Sequence, residues 1–178
     1  NGAELVTLDT GNSIDFATTD THLIEFNGGD NTLQITGGVL TDFGSIVETA
    51  LGAAGTNSLI FDEGTLGDGA EDITVDNLTI NPLTTGAAVT YVRSAGTLTV
   101  NNDLQLGGGT ANAGSLRQSG GTVVVNGDLL FGGVSSGTNF GGTYDLDGGT
   151  LTITTGDIIE GVSGGENAGI NSAQLHLA

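Results

Sequence analysis

The sequence predicts an all-β fold, a right-handed parallel β-helix, and three observations predict it. A unit repeats through the second half, apolar residues alternate strictly inside each unit, and glycines mark the corners. The segment Gly96-Thr97-Leu98-Thr99-Val100-Asn101-Asn102-Asp103-Leu104-Gln105-Leu106-Gly107-Gly108 aligns with Gly121-Thr122-Val123-Val124-Val125-Asn126-Gly127-Asp128-Leu129-Leu130-Phe131-Gly132-Gly133. With one extra residue it aligns again on the run from Gly149 to Gly161. Thr97 and Thr122 are 25 residues apart, and Thr122 and Thr150 are 28 apart. A period of this length marks stacked units that bury their apolar faces only against one another.

Each unit is preceded by a further alternating segment. These are Val89 to Arg93, Ser115 to Gln118, Thr143 to Asp147 and, opening a last unit, Gln174 to Ala178. One period therefore holds three short strands. Strand side chains repeat every two residues, so Leu98/Val100, Val123/Val125 and Leu151/Ile153 share one inward face. Leu104/Leu106, Leu129/Phe131 and Ile158 form a second inward column, and Tyr91, Leu116, Tyr144 and Leu175 a third. Three aliphatic columns describe a three-sided coil, and crossover chirality favours the right-handed sense. At a strand spacing of about 4.8 Å the chain would stack about seven coils of three short strands. An antiparallel β-sandwich is the alternative for short strands with frequent turns, but it gives no reason for three-strand units to recur.

The first half is less regular. Strands are expected at Ile14 to Phe16, Leu23 to Phe26, Thr32 to Ile35, Leu59 to Phe61, Ile73 to Val75 and Leu78 to Ile80. Ser45-Ile46-Val47-Glu48 reads as a capping box ahead of Thr49-Ala50-Leu51, which predicts a short helical turn there. No linker-like shift divides the chain. It reads as one β-helix domain over 1–178, with irregular coils over 1–88 and regular repeats over 89–178.

Composition agrees. The chain carries 33 glycines, one proline and 37% hydrophobic residues, which fits neither a flexible linker nor collagen. It has 21 acidic residues against two basic ones, Arg93 and Arg117, for a net charge of −19. That balance excludes nucleic acid and anionic membrane as partners, because both need Lys and Arg to neutralise phosphate. Cysteine is absent, so neither disulfides nor thiolate metal sites are available. No apolar run reaches the ~20 residues of a spanning helix, so membrane insertion is not expected. Scarce bases with abundant Thr, Asn, Asp and Gly point to a secreted, extracellular or bacterial cell-surface protein.

The Gly-Gly-Thr-Val/Leu-x-Val/Ile starts at Gly120 and Gly148, the Asn-Gly-Asp and Thr-Gly-Asp corners at Asn126 and Thr155, and the Gly-Gly pairs that follow have a counterpart elsewhere. From about residue 89 to 178 the chain resembles the repeats of autotransporter-type passengers and of bacterial surface proteins with a PEP-CTERM sorting tail. The resemblance implies secretion, a β-helical stalk and a role in adhesion, matrix or surface layers. The function expected is thus an extracellular structural or adhesive module rather than an enzyme.

Chemistry has several candidate seats. Polysaccharide lyases of the β-helix class use acidic Ca²⁺ ligands with a basic residue, and here only Arg93 and Arg117 are bases of that strength. Aligned on the following glycines, Arg93 falls with Gln118 and Leu146, and Arg117 with Val92 and Asp145. Arg117, Asp145 and His176 are expected in an outward ladder of charges, with Arg93 near a corner. Asp145 and Asp147 lie two apart on one face, the pattern of paired carboxylates in a glycoside hydrolase, the enzymatic alternative. His22 and His176 are the only histidines, which leaves little support for a zinc site or a Ser-His-Asp triad.

Asp62, Glu63, Asp68, Glu71 and Asp72 place five acids within 11 residues and are the candidate calcium ligands. No other cofactor is expected. Thr97, Thr99, Thr122, Thr150 and Thr152 form an outward threonine ladder that resembles those of β-solenoid ice-binding proteins, although β-propensity alone also places Thr on exposed strands. Open strands at both ends of a β-helix invite self-association, end to end, into a fibre or stalk. An extracellular polysaccharide or surface partner completes the expected partners.

Overall fold

In the computed structural model, residues 4–16, 22–27, 29–48, 55–81, 88–108, 113–132, 141–160 and 172–177 are described, and every regular element among them is a strand. All strand pairs are parallel and join strands of successive coils. The chain is a parallel β-solenoid, as the repeat predicts.

Strands are numbered in chain order. The first sheet stacks β1 (Glu4–Asp9), β4 (Asn31–Thr41), β6 (Asn57–Leu66), β8 (Asn77–Ile80), β11 (Leu104–Leu106), β14 (Leu129–Phe131) and β17 (Ile158–Glu160), with β2 (Ser13–Asp15) also on β4. The second stacks β3 (Leu23–Phe26), β5 (Ser45–Glu48), β7 (Asp72–Val75), β10 (Thr97–Val100), β13 (Thr122–Val125) and β16 (Thr150–Ile153). The third stacks β9 (Ala88–Arg93), β12 (Ala113–Gln118), β15 (Gly141–Leu146) and β18 (Ser172–Leu177).

The solenoid makes about five turns. This is slightly fewer than the seven three-strand coils predicted, because the third sheet holds only four strands among the described residues. In the irregular half, long strands replace the third strand. β4 runs 11 residues and β6 runs 10, and their far halves align Ile14, Leu40 and Leu66 in one column. The Ser94 amide donates to the Gly69 carbonyl at 2.8 Å, as the Ser119 amide does to Arg93 one coil on. A β-bulge lets β6 turn this corner. Phe61 pairs with Ile35 and Glu63 with Thr36, so Asp62 is the extra residue.

Ser45–Glu48 is a strand, not the predicted helix start. Ile46 pairs with Ile24 on one side and Ile73 on the other, and is fully buried. Burying such a side chain is worth about 1.5–3 kcal/mol, more than the ~1 kcal/mol of a helix cap. Thr49, Ala50 and Leu51 lie outside the described residues.

The inward columns are continuous. Leu33, Leu59, Leu78, Leu104 and Leu129 stack in register, as do Ile73, Leu98, Val123 and Leu151 on the second sheet. The corner between the second and first sheets is held by a side-chain ladder. Asn126 Nδ2 donates to Asn101 Oδ1, and Asn101 Nδ2 to Asp76 Oδ1, both at 3.4 Å. The Asp128 amide donates to Asp103 Oδ1 at 3.0 Å and the Asp157 amide to Asp128 Oδ1 at 2.8 Å. Each recurrent Asn and Asp thus caps the next coil. At the opposite corner Gly121 has φ of +69°, and a Cβ there would meet the Ala95 and Gly96 carbonyl oxygens at 2.5 Å. Both facts demand glycine.

Candidate functional site

The third sheet presents the charged groups. Val92, Arg117, Asp145 and His176 occupy one outward column on successive strands, as the alignment predicts. Arg117 Nε donates to Asp147 Oδ2 at 2.8 Å, and His176 Nδ1 lies 2.6 Å from Asp145 Oδ1. The hydrogen bond with Asp147, then its charge, holds the Arg117 guanidinium above its ordinary value. Asp147 follows the end of β15. Each carboxylate of the predicted acid–base pair is therefore engaged by its own basic partner. Exposed pairs of this kind contribute little to stability.

Arg93 does not lie at the surface of a corner, as the sequence suggests, but inside the solenoid. It is 1% exposed. Its Nη2 donates to the Glu71 carbonyl at 2.7 Å and to the Ala95 carbonyl at 2.9 Å, and Nη1 donates to the Tyr91 hydroxyl at 3.1 Å. Glu71 Oε2 lies 4.0 Å from Nη1. The signal was available: Arg93 has the same parity as Val89 and Tyr91, which face inward. Gln118, also not anticipated from the sequence, is fully buried one coil on. It accepts from the Tyr144 hydroxyl at 2.6 Å and donates to the Gly121 and Thr150 carbonyls, each at 3.1 Å. Burial pushes the Tyr144 phenol far up, and the Tyr91 phenol up against the opposing pull of Arg93.

The five acids of the calcium candidate have separate roles. Asp62 is buried and accepts from Gln34 Nε2 at 2.6 Å; burial raises its pKa and the Gln34 bond opposes the rise. Glu63 and Asp68 are exposed, and Asp68 Oδ1 accepts from the Ala70 amide at 2.9 Å. The Glu71 carboxylate accepts from the Asp68 amide at 2.6 Å and the Gly69 amide at 3.1 Å, closing the turn after β6. Asp72 Oδ1 accepts from the Thr97 amide at 2.7 Å. Among the described residues no group of three or more His, Asp or Glu is disposed to hold one metal ion.

The threonine ladder is in place on the outer face of the second sheet. Thr97, Thr122 and Thr150 pair directly, as do Thr74, Thr99, Val124 and Thr152 in the parallel column. Thr74 extends the array by one coil beyond the predicted ladder. Thr97, Thr150 and Thr152 are exposed, and Thr74, Thr99 and Thr122 half-buried.

Elsewhere, β1 to β4 surround an open cavity of about 540 Å³ lined by Val6, Leu8, Ile14, Ile24 and Leu33 with Glu4 and Glu25. It is the interior of the first described coil. His22 stacks on Phe16 with ring centroids 5.2 Å apart. At the corner after β5 the Glu48 carboxyl is raised, first by burial and then by the charge of Asp76. Comparison with protein-family models, with curated proteins and with solved structures finds no match to this chain.

Proposed function

We propose that this chain is a structural and adhesive module of a secreted or cell-surface bacterial protein, a stiff rod that works mechanically. The observation that carries the reading is the uninterrupted core, in which Ile35, Leu59, Ile73, Leu98, Leu116 and Val125 are each fully buried coil after coil. Opening one coil exposes the apolar faces of both neighbours, so local unfolding is costly along the middle of the rod and proteases find little purchase. A net charge of −19 keeps such a surface soluble. Adhesion through a flat outer face to an extracellular polysaccharide or surface partner belongs to the same reading.

Self-association is part of the proposal. The outermost described strands expose Leu5, Val6 and Leu23 at one end and Ile158, Leu175 and Leu177 at the other. A second copy set one strand spacing beyond would cover these side chains and continue the parallel ladders. Negative-stain electron microscopy over a concentration series, with limited proteolysis in parallel, tests both parts. Filaments one solenoid wide support end-to-end stacking, and single particles at every concentration overturn it. Rapid cleavage inside β8 to β16 overturns the rod itself.

A further inference from the structure

The outer face of the second sheet differs from the rest of the molecule. In a protein with 21 acidic residues, the outward positions of β10, β13 and β16 carry no charge. They are Thr97 and Thr99, Thr122 and Val124, and Thr150 and Thr152, held in direct register by the backbone ladder. Thr74 continues one column onto β7. The third sheet, by contrast, projects Arg117, Asp145 and His176.

The backbone sets the lattice of this array. Adjacent strands place equivalent threonines about 4.8 Å apart, and residues i and i+2 stand about 6.7 Å apart along each strand. Threonine is branched at Cβ, so its methyl and hydroxyl have few rotamers to choose from and repeat in the same orientations. Each hydroxyl both donates and accepts. The methyls leave room for water only in the troughs between the ranks. The result is a rigid, neutral, two-dimensional array of hydrogen-bonding groups whose spacing lies close to the oxygen repeat on a prism face of hexagonal ice. A crystalline polysaccharide is the other periodic, hydroxyl-rich surface, but no aromatic ring stands on this face to stack on a sugar.

We propose that this face binds ice by ordering water between its threonine ranks. The two-column array is about 10 Å long over three coils, and on the fourth Thr74 adds one rung while the exposed Asp72 ends the other column, so the expected activity is modest: faceting of growing crystals and inhibition of recrystallisation. Val124 interrupts one column.

The test is ice growth in cold solutions of the purified chain, with circular dichroism confirming that each variant is folded. The chain is expected to facet crystals, and Thr122→Lys to abolish faceting. Thr79→Lys, on the outer face of the first sheet, is expected to leave it intact. Val124→Thr completes the column and is expected to lower the concentration at which recrystallisation stops. Unshaped growth at every concentration overturns the proposal, as does faceting that survives Thr122→Lys. Binding to insoluble cellulose or chitin without any effect on ice also overturns it and reassigns the face.

Discussion

Arg93 and Gln118 occupy the same inward position on successive strands of the third sheet, and both turn to donate to backbone carbonyls at the corner beyond. A cation and an amide thus play one part. They donate to carbonyl groups at the turn into the second sheet, one of which, that of Gly121, also accepts from the Thr150 amide at 3.0 Å. Leu146, next in the column, has no such donor.

That equivalence sets the outcome of substitution. Arg93→Leu removes three hydrogen bonds and the opposite charge beside the Glu71 carboxylate, which keeps only its two backbone amide donors. It is expected to lower unfolding stability in urea by about 3–5 kcal/mol, the usual cost of breaking a buried pair from one side. Arg93→Gln, which copies the next coil, is expected to lose clearly less. Equal losses for the two variants would refute the shared role.

The two faces of a single strand are expected to respond oppositely. Leu98 is fully buried and Thr97, beside it, is exposed. Leu98→Ala is expected to cost about 2–5 kcal/mol through lost transfer energy and the cavity left behind. Thr97→Ala is expected to stay within about 0.5 kcal/mol, as surface changes do. Thermal melts of the two variants check this directly.

Glycine requirements separate in the same way. Gly11 and Gly121 both have positive φ, but a Cβ at Gly11 meets nothing within 4 Å, whereas at Gly121 it meets backbone oxygens at 2.5 Å. Gly11→Ala is expected to cost about 1 kcal/mol for the left-handed conformation alone. Gly121→Ala must also displace the coil beneath, so its melting temperature is expected to fall well below that of Gly11→Ala.

Acid is expected to stabilise the fold before it destabilises it. Glu48 and Asp62 have raised pKa values in the folded chain, each chiefly from burial, so the folded state binds protons more tightly than the unfolded state. Their contribution is complete below the ordinary carboxylate range of about 3.9–4.3. It is lost as pH rises through the raised values. Unfolding stability should therefore increase as pH falls from 7 through the raised values toward the ordinary carboxylate range. Glu48→Gln, which removes the repulsion from Asp76, should be the more stable protein at pH 7 and show a shallower pH dependence. A flat profile for the parent chain would contradict both assignments.

Much of the fold is legible in the chain itself, because the signals that carry it are local and repeated. Parity within Thr97 to Val100 puts Leu98 inside, the 25-residue interval puts Val123 above it, and the corner aspartates Asp103, Asp128 and Asp157 recur from coil to coil. The threonine array follows from the same parity. What escapes is decided by partners distant in sequence. Ser45 to Glu48 has the local pattern of a helix cap, and only Ile24 and Ile73 on neighbouring coils make it a strand. The acids between Asp62 and Asp72 look like one cluster, yet the bulge at Asp62 and the Thr97 amide, 25 residues from Asp72, draw them to different partners.

Arg93 is the sharpest case. The sequence by itself determined the coil, its corners and the face on which each apolar side chain lies, since alternation and period require no knowledge of distant neighbours. Parity turns Arg93 inward, but only the tertiary structure supplied the partners that let a guanidinium stay there. Its burial is tolerable because the Glu71 carbonyl, 22 residues away, accepts from it with Ala95 and Tyr91, and the Glu71 carboxylate stands beside it. A buried charge is stable only where such partners meet it.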